Sequence, residues 1–158
     1  MKKLFVYLIF IATIFSACSN SHKIEVGQSM SDINNKYTAY ITINNLSVYK
    51  IDNNYLITID DGDIIQKLVE FSSNRKCNRI QGFNLLKNDN IDQLLNVNFK
   101  ELTEKIGQPH LDIGSGFYIP AYITEYANLI FFELENGTVI EIVKKDLLTN
   151  RIVKRISE

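Results

Sequence analysis

Tyr55-Leu56-Ile57-Thr58-Ile59-Asp60-Asp61-Gly62-Asp63-Ile64-Ile65-Gln66-Lys67-Leu68-Val69 is two strand-like runs folded back on themselves at Asp61-Gly62. Apolar and polar residues change places with a period near two in each run, and an Asp-Gly between them suits a tight type I′ hairpin turn. The pattern is written a second time: Ile130-Phe131-Phe132-Glu133-Leu134, then Asn136-Gly137, then Val139-Ile140-Glu141-Ile142-Val143. A β-hairpin that occurs twice in one chain points to a duplicated unit.

Upstream of each hairpin the period lengthens to that of a helix. Met30, Ile33 and Tyr37 stand at i, i+3 and i+7, and Phe99, Leu102 and Ile106 repeat that stripe 69 positions later. Each stripe has an N-cap, Ser29 answered by Asp32 in a capping box and Asn98 answered by Glu101. Gly107 sits where a C-terminal cap is expected, and Pro109 prevents the helix from continuing. Further extended runs lie between helix and hairpin: Ala39–Asn44 and Leu46–Ile51 in the first copy, Tyr118–Thr124 in the second. Gly62 and Gly137 are 75 apart, so the second copy is expected to hold six extra residues, placed near Gln108–Gly116.

A helix with one apolar stripe must cover a sheet face, and a small sheet with one apolar face needs that cover. The expected fold class is therefore α+β: two related units, each a short helical segment packed on an antiparallel sheet of three to four strands. The division is 24–71 for the first unit, 72–93 for a connector, 94–150 for the second, and 151–158 for a tail or edge strand.

The N-terminus gives an address. Lys2 and Lys3 precede the apolar run Leu4–Phe15, then Ser16, Ala17 and Cys18. This resembles a bacterial lipoprotein signal, with Phe15 where the lipobox favours leucine. The resemblance implies cleavage after residue 17, acylation (palmitate among the chains) of Cys18, a polar tether over 18–23, and an exported, membrane-anchored lipoprotein of the cell envelope. Losing Lys2 and Lys3 takes the formal charge from -1 to -3, which supplies no electrostatic grip on nucleic acid. Besides Cys18 only Cys77 remains, so no intramolecular disulfide is available. The cations flanking Cys77 would lower its pKa, but a solitary loop thiol with no recognisable partner is usually incidental.

Val26-Gly27-Gln28-Ser29-Met30-Ser31-Asp32-Ile33 and Phe99-Lys100-Glu101-Leu102-Thr103-Glu104-Lys105-Ile106-Gly107-Gln108-Pro109-His110, behind a lipobox, resemble the motifs of the SmpA/OmlA-type, BamE-like outer-membrane lipoproteins. The duplicated layout is also similar to the tandem-repeat β-lactamase-inhibitor-protein family. These resemblances imply helix on antiparallel sheet, no enzymatic activity and no cofactor. They also imply a protein partner, either an envelope assembly component or a secreted hydrolase that the protein inhibits.

The segment from Gly107 to Tyr122 is the candidate functional region. It sets His110, Asp112 and Ser115 among turn-forming glycines, and loops on rigid scaffolds concentrate recognition residues. A small hydrolase using His110, Asp112 and Ser115 is the reading from another class, but three residues so close in sequence seldom form a triad. Asp112 and Ser115 can instead satisfy local amides. Phe117, Tyr118, Tyr122 and Tyr126 make the region aromatic, as interface anchors or as strand packing. Asp60, Asp61 and Asp63 lack the spaced ligand set of a calcium loop and suit a solvated turn. With only His22 and His110 in the chain, a histidine-rich metal site is excluded by count.

Overall fold

The computed structural model describes residues 23–87 and 91–157; the signal, Cys18 and all of the tether except Lys23 lie outside them. The chain is mostly β. Ten strands form two five-stranded antiparallel sheets, with neighbour orders β1-β2-β3-β4-β5 and β10-β9-β8-β7-β6. The first sheet holds β1 (Ala39–Ile43), β2 (Leu46–Ile51), β3 (Asn54–Asp61), β4 (Ile64–Ser72) and β5 (Cys77–Gln81). The second holds β6 (Leu111–Asp112), β7 (Pro120–Ile123), β8 (Asn128–Glu135), β9 (Thr138–Asp146) and β10 (Arg151–Ser157). Two short helices precede them, α1 (Met30–Asn34) and α2 (Phe99–Ile106). Each sheet thus has five strands, not three or four. The added members are β5, which falls within the stretch expected to connect the units, the two-residue β6, which falls within the Gly107–Tyr122 candidate region, and β10, which makes the tail an edge strand.

Alternation along each strand divides the apolar residues between two faces. Ile57, Ile59, Val48 and Phe71 of the first sheet meet Ala121, Ile123 and Leu129 of the second, and Leu147 of the β9–β10 turn, in one shared core. The opposite faces are covered from outside. Met30 and Ile33 of α1 close over Tyr49, Leu56, Ile65 and Leu68. Leu102 of α2 closes over Tyr122, Ile130, Phe132 and Ile142. The layers therefore run helix, sheet, sheet, helix, with the helical contribution small.

Strict alternation would send Ile65 and Leu68 to opposite faces, yet both face α1. A β-bulge resolves this: Ile59 pairs with Lys67 and Asp60 with Ile65, leaving Gln66 as the extra residue. The second sheet has the same device, with Glu133 opposite Glu141, Leu134 opposite Val139, and Ile140 left over. Val139 and Ile142 consequently share the α2 face.

Pairing registers also correct the internal alignment. In the first hairpin Asp61 pairs with Ile64, so the turn residues are Gly62-Asp63; in the second Glu135 pairs with Thr138 around Asn136-Gly137. Only Gly62 has positive φ in the first turn, the pattern of type II′, whereas Asn136 and Gly137 are both positive as type I′ requires. The hairpins are therefore 74 apart, and the second unit carries five extra residues rather than six. Three fall in the β6–β7 loop: β1 and β2 are joined by Asn44-Asn45 alone, whereas Gly114–Tyr118 spans the corresponding gap.

The caps are built from the hairpins as well. Ser29 Oγ accepts the Ser31 amide at 3.1 Å, and Asp63 Oδ1 accepts the same amide at 3.0 Å. The carboxylate completing the α1 cap is thus Asp63, not Asp32, which also gives one member of the Asp60, Asp61 and Asp63 group a structural task. At α2, Asn98 Oδ1 accepts the Glu101 amide at 2.9 Å, while the Glu101 carboxylate pairs with Lys105 at 2.8 Å. Cys77 is a half-buried residue of β5 and not of a loop, and burial pushes its thiol pKa up despite the neighbouring cations.

Candidate functional site

Tyr122 is fully buried in the middle of β7, and its hydroxyl donates to Gly107 O at 2.9 Å. Tyr49 is its counterpart in the first unit. It too is fully buried, and its hydroxyl donates to Asn34 Oδ1 at 2.8 Å. Each unit therefore uses one interior tyrosine to tie its sheet to the end of its helix. Burial pushes the Tyr122 hydroxyl pKa well up, and its ring meets Phe132 edge to face at 5.7 Å. Tyr122 belongs to the core and is removed from the surface candidates. Tyr118 lies before the strand begins at Pro120 and is not a strand residue.

Asp112, at the end of β6, organises the loop that follows. Its Oδ1 accepts the amides of Gly114 at 2.8 Å and Ile119 at 2.9 Å, and the Ile113 amide donates to Ile119 O at 3.0 Å. Gly114 is required by space: a Cβ there would lie 1.6 Å from Phe117 O. Asn44 Nδ2, from the β1–β2 turn, donates to Gly114 O at 3.0 Å and braces the loop against the first unit. On this frame Tyr118 stacks edge to face on Phe99 of α2 at 5.4 Å and stays 44% exposed, while Phe117 is 69% exposed. Ser115 is also exposed. Tyr126 is exposed in the β7–β8 turn, at the opposite end of β7 from Phe117, so the aromatic candidates do not form one patch.

His110 has a task that the sequence did not announce. Its amide donates to Ala121 O at 2.9 Å, and further along β7 the backbone of Leu86 takes over, its amide donating to Ile123 O at 2.9 Å. Between these two partners the Ile123 amide would be left without an acceptor, and His110 Nδ1 accepts it at 2.8 Å. The imidazole fills a gap in the ladder. It packs edge to face on Phe83 at 4.8 Å. Burial first, and then the nearby Lys67 ammonium, lower its pKa to about 4, which keeps Nδ1 free to accept.

His110, Asp112 and Ser115 are therefore not assembled as a nucleophile, base and orienting acid. The imidazole nitrogen that an aspartate would orient holds a backbone amide, and Asp112 Oδ1 holds two others. Among the described residues no group of three His, Cys, Asp or Glu side chains is arranged to hold a metal ion. No helix among them is long and apolar enough to cross a membrane.

Beside His110 lies a cleft of about 620 Å³ between the 82–87 segment and the C-terminal end of α2. Phe83, Ile106 and Pro109 form apolar parts of its wall, with Lys67, Lys87 and Lys105 around them. Across the units, Arg75 pairs with Asp146 and its Nη1 donates to Tyr126 O at 3.1 Å. Burial opposes the Asp146 charge, but Arg75 and the amides of Leu148 and Thr149 outweigh it and hold the carboxyl below its ordinary value. Compared with known proteins, the chain matches no family model, no curated protein and no solved structure.

Proposed function

We propose that this is an exported protein, anchored at the membrane by a lipid on Cys18, that recognises another cell-envelope protein through the Gly114–Tyr118 loop and has no catalytic role. One observation carries the recognition part: Phe117 is 69% exposed on a loop whose backbone is fixed by Asp112, Gly114 and Asn44. Holding a large apolar side chain in water on a rigid support is unfavourable for an isolated chain and favourable for binding, because little order remains to be imposed. The first unit, with its two-residue turn, has no equivalent. Ser115, beside it and exposed, offers a hydroxyl at the rim of the same surface, and Tyr118 extends its apolar centre. The anchor rests on the resemblance of residues 1–18 to a lipoprotein signal.

Two experiments separate these parts. Cys18→Ala in the native cell should release the protein from the membrane fraction, and undiminished membrane association would remove the anchor. A photo-crosslinker at Phe117 should trap a partner that the same crosslinker at Tyr126 does not. Equal trapping at both sites would deny the loop its role, and capture of a secreted hydrolase would redirect the reading to inhibition.

A further inference from the structure

The cleft beside His110 carries a charge imbalance that packing alone does not explain. Its charged wall residues are Lys67, Lys87 and Lys105, with no acid among them. Lys105 is answered by Glu101 at 2.8 Å. Lys67 and Lys87 have no carboxylate partner among the described residues, and the hydrogen bond that Lys67 makes goes to the neutral carbonyl of His110. Burial lowers the Lys67 pKa, as expected for an ammonium partly withdrawn from water without a counter-ion.

Comparison of the units sharpens the point. By ladder register Lys67, opposite Ile59, corresponds to Glu141, opposite Glu133. Glu141 is paired with Arg155 at 2.8 Å. The same place in the fold therefore holds a compensated charge in one unit and an uncompensated one in the other. A half-buried charge without a partner costs free energy, which an anion entering from the cleft would recover. The C-terminal end of α2 opposes an anion with roughly half a charge, less than two lysines supply.

We propose that this cleft binds a small organic anion, its carboxylate or phosphate against Lys67 and Lys87 and its apolar body over Phe83, Ile106 and Pro109. The volume suits such a ligand, since pockets of a few hundred Å³ with an apolar wall and a few convergent polar groups are the usual small-molecule sites. This site is separate from Cys18 and Phe117, so its test stands or fails independently of the recognition loop.

The full chain in lipid nanodiscs is titrated with benzoate and with phenyl phosphate, and the amide NMR shifts of residues 82–87 and 107–110 are followed. Benzyl alcohol is the neutral control. At least one anion should give saturable shifts with an affinity roughly tenfold or more above that of benzyl alcohol, and whichever anion binds tighter identifies the head group. Lys67→Met and Lys87→Gln should each weaken that anion about threefold or more, with Lys76→Gln unchanged. Lys87 is exposed, so its variant reports even where Lys67→Met perturbs folding. Absence of saturation with both anions, equal binding of benzyl alcohol, or unchanged affinity in Lys87→Gln overturns the proposal.

Discussion

The first unit joins β1 to β2 through Asn44-Asn45, whereas the second spans the same gap with Gly114–Tyr118 and leaves Phe117 in solvent. In nearly everything that carries stability the two are alike: a capped helix, a bulged hairpin, and a buried tyrosine tied to the end of the helix. Where they differ, the second unit has the more exposed aromatic loop, and Lys67 of the first has no carboxylate partner among the described residues. A duplicated scaffold separates these roles. What both copies keep is what folds, and what only one copy has is where binding should be sought.

The largest effect should come from breaking what the units share. Phe71 is fully buried in the core between the sheets. Phe71→Ala should cost about 3–5 kcal/mol, and because that core belongs to both sheets, denaturant unfolding should remain a single transition. Two separated transitions would mean that the units fold independently.

Acid should expose the next difference, because only the second unit uses a histidine in its ladder. The folded pKa of His110 is lowered from 6.5 to about 4, so the unfolded chain takes up the proton first. Its stabilisation is complete above about pH 6.5 and declines as pH falls toward 4, by on the order of 3 kcal/mol across that window. His110→Asn, whose Oδ1 stands where Nδ1 does and can still accept the Ile123 amide, should flatten the dependence between those pH values in equilibrium unfolding. Asp146 adds a further loss at lower pH, because its folded pKa is depressed and its contribution disappears as the carboxylate protonates.

Gly114→Ala should follow, at about 1–3 kcal/mol, since the new Cβ would fall within bonding range of Phe117 O and the loop must rearrange. Gly116, with φ of 100° and nothing within 4 Å of a Cβ, should respond through backbone strain alone. The smallest and most symmetrical effect belongs to the tyrosines. Tyr49→Phe and Tyr122→Phe should each cost about 1 kcal/mol by thermal unfolding, and a clear inequality would break the equivalence drawn between them.

Much of this duplication is legible in the chain. Met30 and Ile33 and the stripe Phe99, Leu102, Ile106 mark the helices, and Ser29 and Asn98 mark their starts, but Tyr37, expected to extend the first stripe, lies beyond α1, which ends at Asn34. The two hairpins declare themselves by alternation and turn residues. The bulges are not legible, because Gln66 and Ile140 differ in polarity and nothing local shows that one residue must be skipped. β5 and β6 were obscured for a related reason: β5 is an edge strand alternating half-buried and exposed residues and β6 has only two residues, whereas the tail that forms β10 was already open to an edge-strand reading. Within the site, Asp112 is recognisable as a loop-closing aspartate from the glycines that follow it. His110 is not, since its role depends on an Ile123 amide left without an acceptor between the backbones of His110 and Leu86 that flank β7. That β7 places Tyr122 inside while Phe117 remains outside is likewise decided by where the strand begins, a tertiary matter.

The most direct test of the division between shared scaffold and singular surface is to replace Gly114–Tyr118 with two asparagines, giving the second unit the turn of the first. The variant should remain folded, with a Tm within roughly ten degrees of the parent, and should no longer co-purify the partner that the Phe117 crosslinker traps in the parent chain. Undiminished complex formation by a folded variant would contradict the assignment of recognition to this loop.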